Sequence, residues 1–171
     1  MTLDTAALGI PDHVLSPVEC YEAGARAAAA LDLTEHLLEG DHERMYELLW
    51  RTEHSEAWLV SWWDARDTGY HDHDGSSGGI AVVEGRVTEE PLVVAGAAQV
   101  REYRPGDTFA FTGSHIHRMH HDPKAVTIHV YSPPINRIGS YEIVDGVLTR
   151  TPGSPDEESP TSLELDRALG R

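Results

Sequence analysis

Two histidines separated by one residue stand in the stretch Gly69-Tyr70-His71-Asp72-His73-Asp74-Gly75, and an apolar run, Ile80-Ala81-Val82-Val83, follows and closes at Gly85. In a β-strand, residues i and i+2 project from one face. Two imidazoles side by side on a rigid strand can bind one transition metal ion, and further histidines arrive downstream in Ser114-His115-Ile116-His117-Arg118. Imidazole suits zinc, iron, copper and nickel, so the histidines alone do not name the metal. By residue type, His115, His120 and His121 all compete with His117 to complete the set.

The two histidine segments together resemble the paired motifs of the cupin superfamily, with His71 and His73 as the first two ligands and His117, on motif spacing, as the last. The cupin pattern also carries a glutamate ligand after the second histidine and before the closing glycine. Counting from His73 or back from Gly85, that position is Gly78. The resemblance therefore implies three neutral imidazoles with open positions on the metal.

A third segment, Ala125-Val126-Thr127-Ile128-His129-Val130-Tyr131-Ser132-Pro133-Pro134, alternates as a strand. Thr127, His129 and Tyr131 share one face, and Val126, Ile128 and Val130 the other. A Thr-His-Tyr row ending in Ser-Pro-Pro resembles the Ser-His-Tyr relay and turn of the cysteine dioxygenase family of thiol dioxygenases, over roughly residues 40 to 145. In that family a ferrous ion held by three histidines takes a substrate thiolate and dioxygen, and both oxygen atoms pass to sulfur to give a sulfinate. The resemblance implies that His71, His73 and His117 hold Fe(2+) and that Tyr131 points its hydroxyl at the reactants. His129 would orient Tyr131 and Thr127 would steady His129, because such hydrogen bonds fix a ring's tautomer and direction. It also implies a cis Ser132-Pro133 bond. Gly78 falls where animal members carry a cysteine crosslinked to the tyrosine, which places this chain with the bacterial-type members.

Substrate recognition departs from the cysteine-specific pattern. There an arginine on the segment before the first barrel strand clamps the substrate carboxylate, a task suited to a bidentate guanidinium. Aligning Leu48-Leu49 with the corresponding apolar pair puts Tyr46 at that position, with Arg44 and Arg51 nearby. The implied substrate is a small thiol other than cysteine, such as 3-mercaptopropionate, cysteamine or ergothioneine; cysteine itself is the alternative. Trp50, Trp58, Trp62 and Trp63 stand close to Tyr46 and Tyr70 in sequence. Lining by Tyr46, Trp63, Tyr70 and Arg44 would shape the pocket, and aromatic faces attract ammonium groups by about 0.5 to 2 kcal/mol each. The competing reading places most of these tryptophans in the core.

The elements that must position these residues are legible in outline. Ser16-Pro17-Val18-Glu19 is a capping box with proline at the first helical position, opening an alanine-rich helix through Ala30. Asp41 is expected to cap a second helix with Met45, Leu48 and Leu49 on its apolar side. From Ala57 the texture changes to short β-rich runs: Trp58 to Trp63, Ile80 to Val87, Leu92 to Tyr103, Thr108 to Phe111 and Val126 to Tyr131. Asp145-Gly146 between two short apolar runs signals a hairpin. The fold class is thus mainly β. Many short strands suit a small barrel or sandwich, and the resemblance selects a cupin jelly-roll-like β-barrel with an N-terminal helical segment. The expected boundaries are 1–56 for that segment, 57–151 for the barrel and 152–171 for an acidic flexible tail.

Composition sets the remaining bounds. A chain of 171 residues suits one domain, and its single cysteine, Cys20, excludes an internal disulfide and fits a reducing compartment. Neither a signal peptide nor a membrane span is expected, so the expected location is the cytoplasm, as a monomer or weak homo-oligomer. A net charge of -16 argues against nucleic-acid binding, which rests on neutralising phosphates with lysine and arginine. Two other function classes fit the metal motif: a cupin isomerase or hydrolase using another metal, and a non-catalytic binding module.

Overall fold

The computed structural model describes residues 2–35, 44–93 and 95–151. Its one α-helix among those residues, α1 (Pro17–Ala30), starts where the capping box predicts: the Glu19 amide donates to Ser16 Oγ at 3.3 Å, and the Ser16 amide donates back to Glu19 Oε2 at 2.7 Å. After a short 3-10 turn at Leu33–Glu35 come twelve strands. These are β1 (Arg44–Arg51), β2 (Glu56–Trp62), β3 (Arg66–Asp67), β4 (Tyr70–Asp72), β5 (Ser77–Glu84) and β6 (Val87–Pro91), followed by β7 (Arg101–Tyr103), β8 (Thr108–Phe111), β9 (His117–His121), β10 (Ala125–Ser132), β11 (Gly139–Val144) and β12 (Val147–Thr151).

All pairings are antiparallel, in two sheets that face each other as a jelly roll. One sheet runs β1-β2-β10-β5-β8; the other runs β12-β11-β4-β9-β6-β7, with β3 beside β9. Alternation divides the side chains of the first sheet into two layers. Trp58, Val60, Trp62, Ile80, Val82, Phe109, Phe111 and Tyr131 meet Val87 and Met119 of the second sheet in the interior. Leu49, Trp50, Ala57, Leu59, Ala81, Val126, Ile128 and Val130 pack outward against Cys20, Ala23 and Ala27 of α1. Burial pushes the Cys20 thiol up to about 12, so it serves as a small apolar residue there.

Several expectations change at this level. Residues 44–51 form a strand rather than a helix, so the first sheet begins inside the segment expected to be helical. Both faces of β1 carry apolar groups, Leu48 towards the interior and Leu49 towards α1. An irregularity between Leu48 and Trp50 further breaks the period of two. The Asp41 cap and the 152–171 tail lie outside the described residues. The run from Ile80 to Val87 is two strands in different sheets, divided at Gly85, whose φ of 76° permits the turn. Among the described residues of the run from Leu92 to Tyr103, only Arg101–Tyr103 is a strand, and Val93 and Val100 are exposed. The Asp145-Gly146 hairpin has both residues at positive φ, 50° and 78°, as a type I′ turn requires. No described helix is long and apolar enough to cross a membrane.

Gly79 faces outward beneath α1, and a Cβ there would lie 2.4 Å from the Cys20 carbonyl oxygen. Gly24, on α1, has room: its Cβ would meet Ala81 and Thr108 side chains at 3.7 Å. Denaturant unfolding should therefore show Gly79→Ala destabilising by about 1–3 kcal/mol through overpacking. Gly24→Ala should stabilise by about 0.5–1 kcal/mol through helix propensity.

Candidate functional site

The metal-type histidines converge from the second sheet. On β4, His71 points inward while Tyr70 and Asp72 alternate outward; His73 follows the strand, and His117 opens β9 directly opposite His71. All three are buried, and one nitrogen from each lies within 4.8 Å of the others. His71 Nδ1 is 3.0 Å from the Gly69 carbonyl, and His117 Nδ1 is 3.1 Å from Glu89 Oε1. Both partners are acceptors, so Nδ1 carries the proton in each ring and Nε2 presents the lone pair. Three buried imidazoles, two of them held through Nδ1 so that Nε2 faces the cluster, form a donor set suited to a borderline transition metal ion.

Opposite them stands the row on β10. Thr127 Oγ1 lies 2.8 Å from His129 Nε2, and His129 Nδ1 lies 2.9 Å from the Tyr131 hydroxyl oxygen; all three residues are buried. At its far end the row is anchored by Trp62, whose Nε1 donates to Thr127 Oγ1 at 3.1 Å. An indole N–H can only donate. Thr127 Oγ1 thus accepts from Trp62 and shares a second hydrogen bond with His129 Nε2, while His129 Nδ1 is bonded to the Tyr131 hydroxyl, so the ring links the two hydroxyls and fixes their positions. The Tyr131 ring stacks on His73, with centroids 5.4 Å apart at 29°. The strand ends at a cis Ser132-Pro133 bond.

Phe111 closes the remaining side. Its ring stacks on His73 with centroids 4.4 Å apart, and it fills the space over Gly78, where a Cβ would lie 2.2 Å from its Cζ. Gly78 pairs with Tyr131 on one side and Phe111 on the other. The position that carries a carboxylate or a cysteine in related patterns is here occupied by an aromatic ring from the neighbouring strand.

The expected substrate residues scatter. Tyr46 faces the interior of β1, paired with Val60 and in edge contact with Trp58 at 6.4 Å. Tyr70 does not join the site: alternation turns it to the outer face, where its hydroxyl bonds Glu90, and burial together with Glu90 raises its pKa. Trp63 lies beyond the end of β2 and lines a separate cavity of about 250 Å³ with Ser61, Glu84, Lys124 and Val126. Trp50 packs under α1, while Trp58 and Trp62 belong to the interior core. Arg44 pairs through its backbone with Trp62, at the opposite end of β2 from the Tyr131 partner Glu56; its side chain lies outside the described residues. Arg51 binds Glu56 at 2.6 Å, and the other Glu56 oxygen accepts from the Ile135 amide at 3.0 Å.

Glu89 was not anticipated from the sequence. It is 3% exposed on β6 and accepts from His115 Nε2 at 2.9 Å through the same oxygen that meets His117. Burial raises its pKa, but the hydrogen bonds from His115 and His117 outweigh burial and hold it at about 2. Its signal was a carboxylate on the apolar side of an alternating strand, Val87-Thr88-Glu89. Glu89, His115 and His117 form a second metal-like cluster, but its separations are those of N–H···O hydrogen bonds. His115 thus sits behind His117 as a partner of Glu89.

The family described as cysteine dioxygenase type I matches residues 41–143, more than half of the chain. The protein belongs to that family. Solved structures agree on the fold. KdgF from Halomonas sp. is 20% identical with a TM-score of 0.51, covering 60% of this chain and 91% of that one. An RmlC-like cupin protein from Desulfovibrio desulfuricans is 19% identical with a TM-score of 0.50, covering 62% and 97%. The TT1209 protein from Thermus thermophilus is 16% identical with a TM-score of 0.50, covering 60% and 95%. No curated protein matches the sequence. As a member of the cysteine dioxygenase type I family, the chain carries its three-histidine cluster and the Thr127-His129-Tyr131 row within the matched region.

The Phe111 plug predicts coupling with Gly78. Gly78→Ala should cost about 1–3 kcal/mol of stability by overpacking. Combined with Phe111→Leu, that cost should shrink in a double-mutant cycle; additive costs would show that Phe111 does not hold the space.

Proposed function

We propose that the protein is an iron-dependent thiol dioxygenase that converts a small organic thiol and dioxygen into a sulfinate and a proton, with cysteine a poor substrate. The observation that carries this reading is the Tyr131 ring stacked on His73, at the end of a buried hydrogen-bonded row that Trp62 anchors. A ferrous ion held by His71, His73 and His117 would bring thiolate and dioxygen together and make their spin-forbidden reaction feasible. In the balanced reaction the S–H and O–O bonds break, both oxygen atoms of one O2 form bonds to sulfur, sulfur gives up the four electrons that dioxygen takes, and the proton leaves for solvent. Tyr131 holds its O–H towards the reactants, His129 orients Tyr131, and Thr127 orients His129. A binding module has no use for so ordered a hydroxyl.

Substrate choice follows from Tyr46 and Arg51. Tyr46 offers no charged fork to a carboxylate, and Arg51 is engaged with Glu56. A thiol recognised without that fork, such as cysteamine, 3-mercaptopropionate or ergothioneine, fits this arrangement; the family description favours cysteine as the second reading. The net charge of -16 supports a protein without nucleic-acid partners, and the buried Cys20 thiol is compatible with the cytoplasm.

Iron analysis after reconstitution should show the metal lost when His71, His73 and His117 are replaced by alanine. Tyr131→Phe should keep its iron while sulfinate formation falls by about 10- to 1000-fold; unchanged turnover would remove Tyr131 from the chemistry. In oxygen uptake across the four thiols, cysteine should trail the best by about one to two orders of magnitude in kcat/KM, the loss of one charge-assisted pair. Cysteine as the best of the four would point instead to an arginine clamp.

A further inference from the structure

We propose that Glu89 is a positioning residue that supplies the metal centre with its negative charge from behind His117, in place of a carboxylate bound to the metal. The proposal rests on His71, His73 and His117 being the ligands.

Three neutral imidazoles bring no charge to a divalent ion, and Gly78, filled over by Phe111, offers no side chain to add any. Glu89 is nearly fully buried on the interior face of β6, where its neighbours Val87 and Pro91 are apolar. A lone carboxylate is costly in such a place unless it is matched by donors. Here the donors are the rings of His115 and His117, with the Tyr103 hydroxyl on Oε2 at 3.3 Å. An N–H donated to a carboxylate makes an imidazole more basic at its other nitrogen, so His117 Nε2 becomes a stronger donor to a metal. The same charge stabilises a trivalent ion more than a divalent one. Glu89 therefore lowers the reduction potential of the centre without taking a coordination position, which stays available to thiolate and dioxygen.

The arrangement of His115 supports this role. Its ring shares Glu89 Oε1 with His117 and is partly exposed, so the carboxylate is tethered from the solvent side while facing the ligand. β6 and β9 pair along five rungs from Val87↔His121 to Pro91↔His117, which fixes Glu89 diagonally behind His117.

The test compares wild type, Glu89→Gln and His115→Ala for ferrous affinity by chelator competition and for the ferric/ferrous midpoint potential by redox titration, with circular dichroism reporting the fold. Glu89→Gln keeps the shape and removes the charge. It should weaken ferrous binding by about 10- to 100-fold and raise the potential, by about 59 mV for each tenfold excess of ferric over ferrous loss. His115→Ala removes the donor that shares Oε1 with His117, so it should bind one ferrous ion with a potential below that of wild type, and an unchanged potential would count against the proposal. This variant decides the matter if Glu89→Gln does not fold. A Glu89→Gln protein that is less stable but has unchanged potential and affinity would make Glu89 merely structural and overturn the proposal. So would two iron ions per wild-type chain falling to one in His115→Ala, since Glu89 would then be a ligand itself. Wild type that binds no ferrous ion would instead overturn the ligand assignment beneath it.

Discussion

Strand β10 is buried along its whole length on both faces, and the rest of the molecule is arranged around that constraint. It lies between β2 and β5 in the first sheet, so its backbone groups are paired on both edges. Its inward residues are polar and its outward residues apolar, the reverse of the usual economy of a half-buried strand. Val126, Ile128 and Val130 meet α1, while Thr127, His129 and Tyr131 face the interior and must find hydrogen-bond partners there. A slip of one residue would exchange the two sets, placing three polar groups under the helix and three aliphatic ones beside the histidines. Register is therefore enforced by energetics on both sides. The polar row satisfies itself through two hydrogen bonds, and Trp62, on the adjacent strand, adds a donor at its far end.

The strand beside it resolves two close approaches with two consecutive glycines. Gly79 faces out and admits the backbone of α1; Gly78 faces in and admits the ring of Phe111. Because alternation sends neighbours to opposite faces, each glycine answers a different demand. The inner vacancy lets an aromatic wall approach His73 where another side chain would stand. At the end of β10, Ser132 Oγ accepts from the Leu15 amide at 2.7 Å and donates to the His54 carbonyl at 2.6 Å, tying the start of α1 to the same strand that carries Tyr131.

Much of this was legible in the sequence where one periodicity dominates. The capping box placed α1, the alternation of residues 125–132 placed β10 and sorted its faces, Asp145-Gly146 placed a hairpin, and the resemblance of the two histidine segments to paired cupin motifs picked the three rings that converge. Legibility failed where neighbouring layers override period. β1 is apolar on both sides, so Met45, Leu48 and Leu49 imitate a helix. Tyr70 is adjacent to His71 in sequence and for that reason points away from it. Trp63 is close in number to the interior tryptophans but falls past the strand end. Glu89 and Trp62 act through pairings between strands distant in sequence, Glu89 with β9 and Trp62 with β10, and no local pattern announces those.

The irregularity in β1 has a consequence for charge at the site. Up to Leu48 the inward residues are Tyr46 and Leu48, matched to Val60 and Trp58. An unbroken strand would turn Trp50 inward and Arg51 outward. The shift reverses both, sending Trp50 under α1 and bringing Arg51 opposite Glu56, itself opposite Tyr131. Burial pushes the Glu56 carboxyl up, and Arg51 and the Ile135 amide act against that. The guanidinium is thereby engaged in holding the segment that follows the Ser132-Pro133 turn, because the second Glu56 oxygen bonds Ile135. A substrate carboxylate competing for Arg51 would have to strip it from a buried anion, a costly exchange when one partner is left unpaired. The bulge thus turns an arginine to the interior side of β1, opposite Glu56 and beside the strand that carries Tyr131, while committing it to structure.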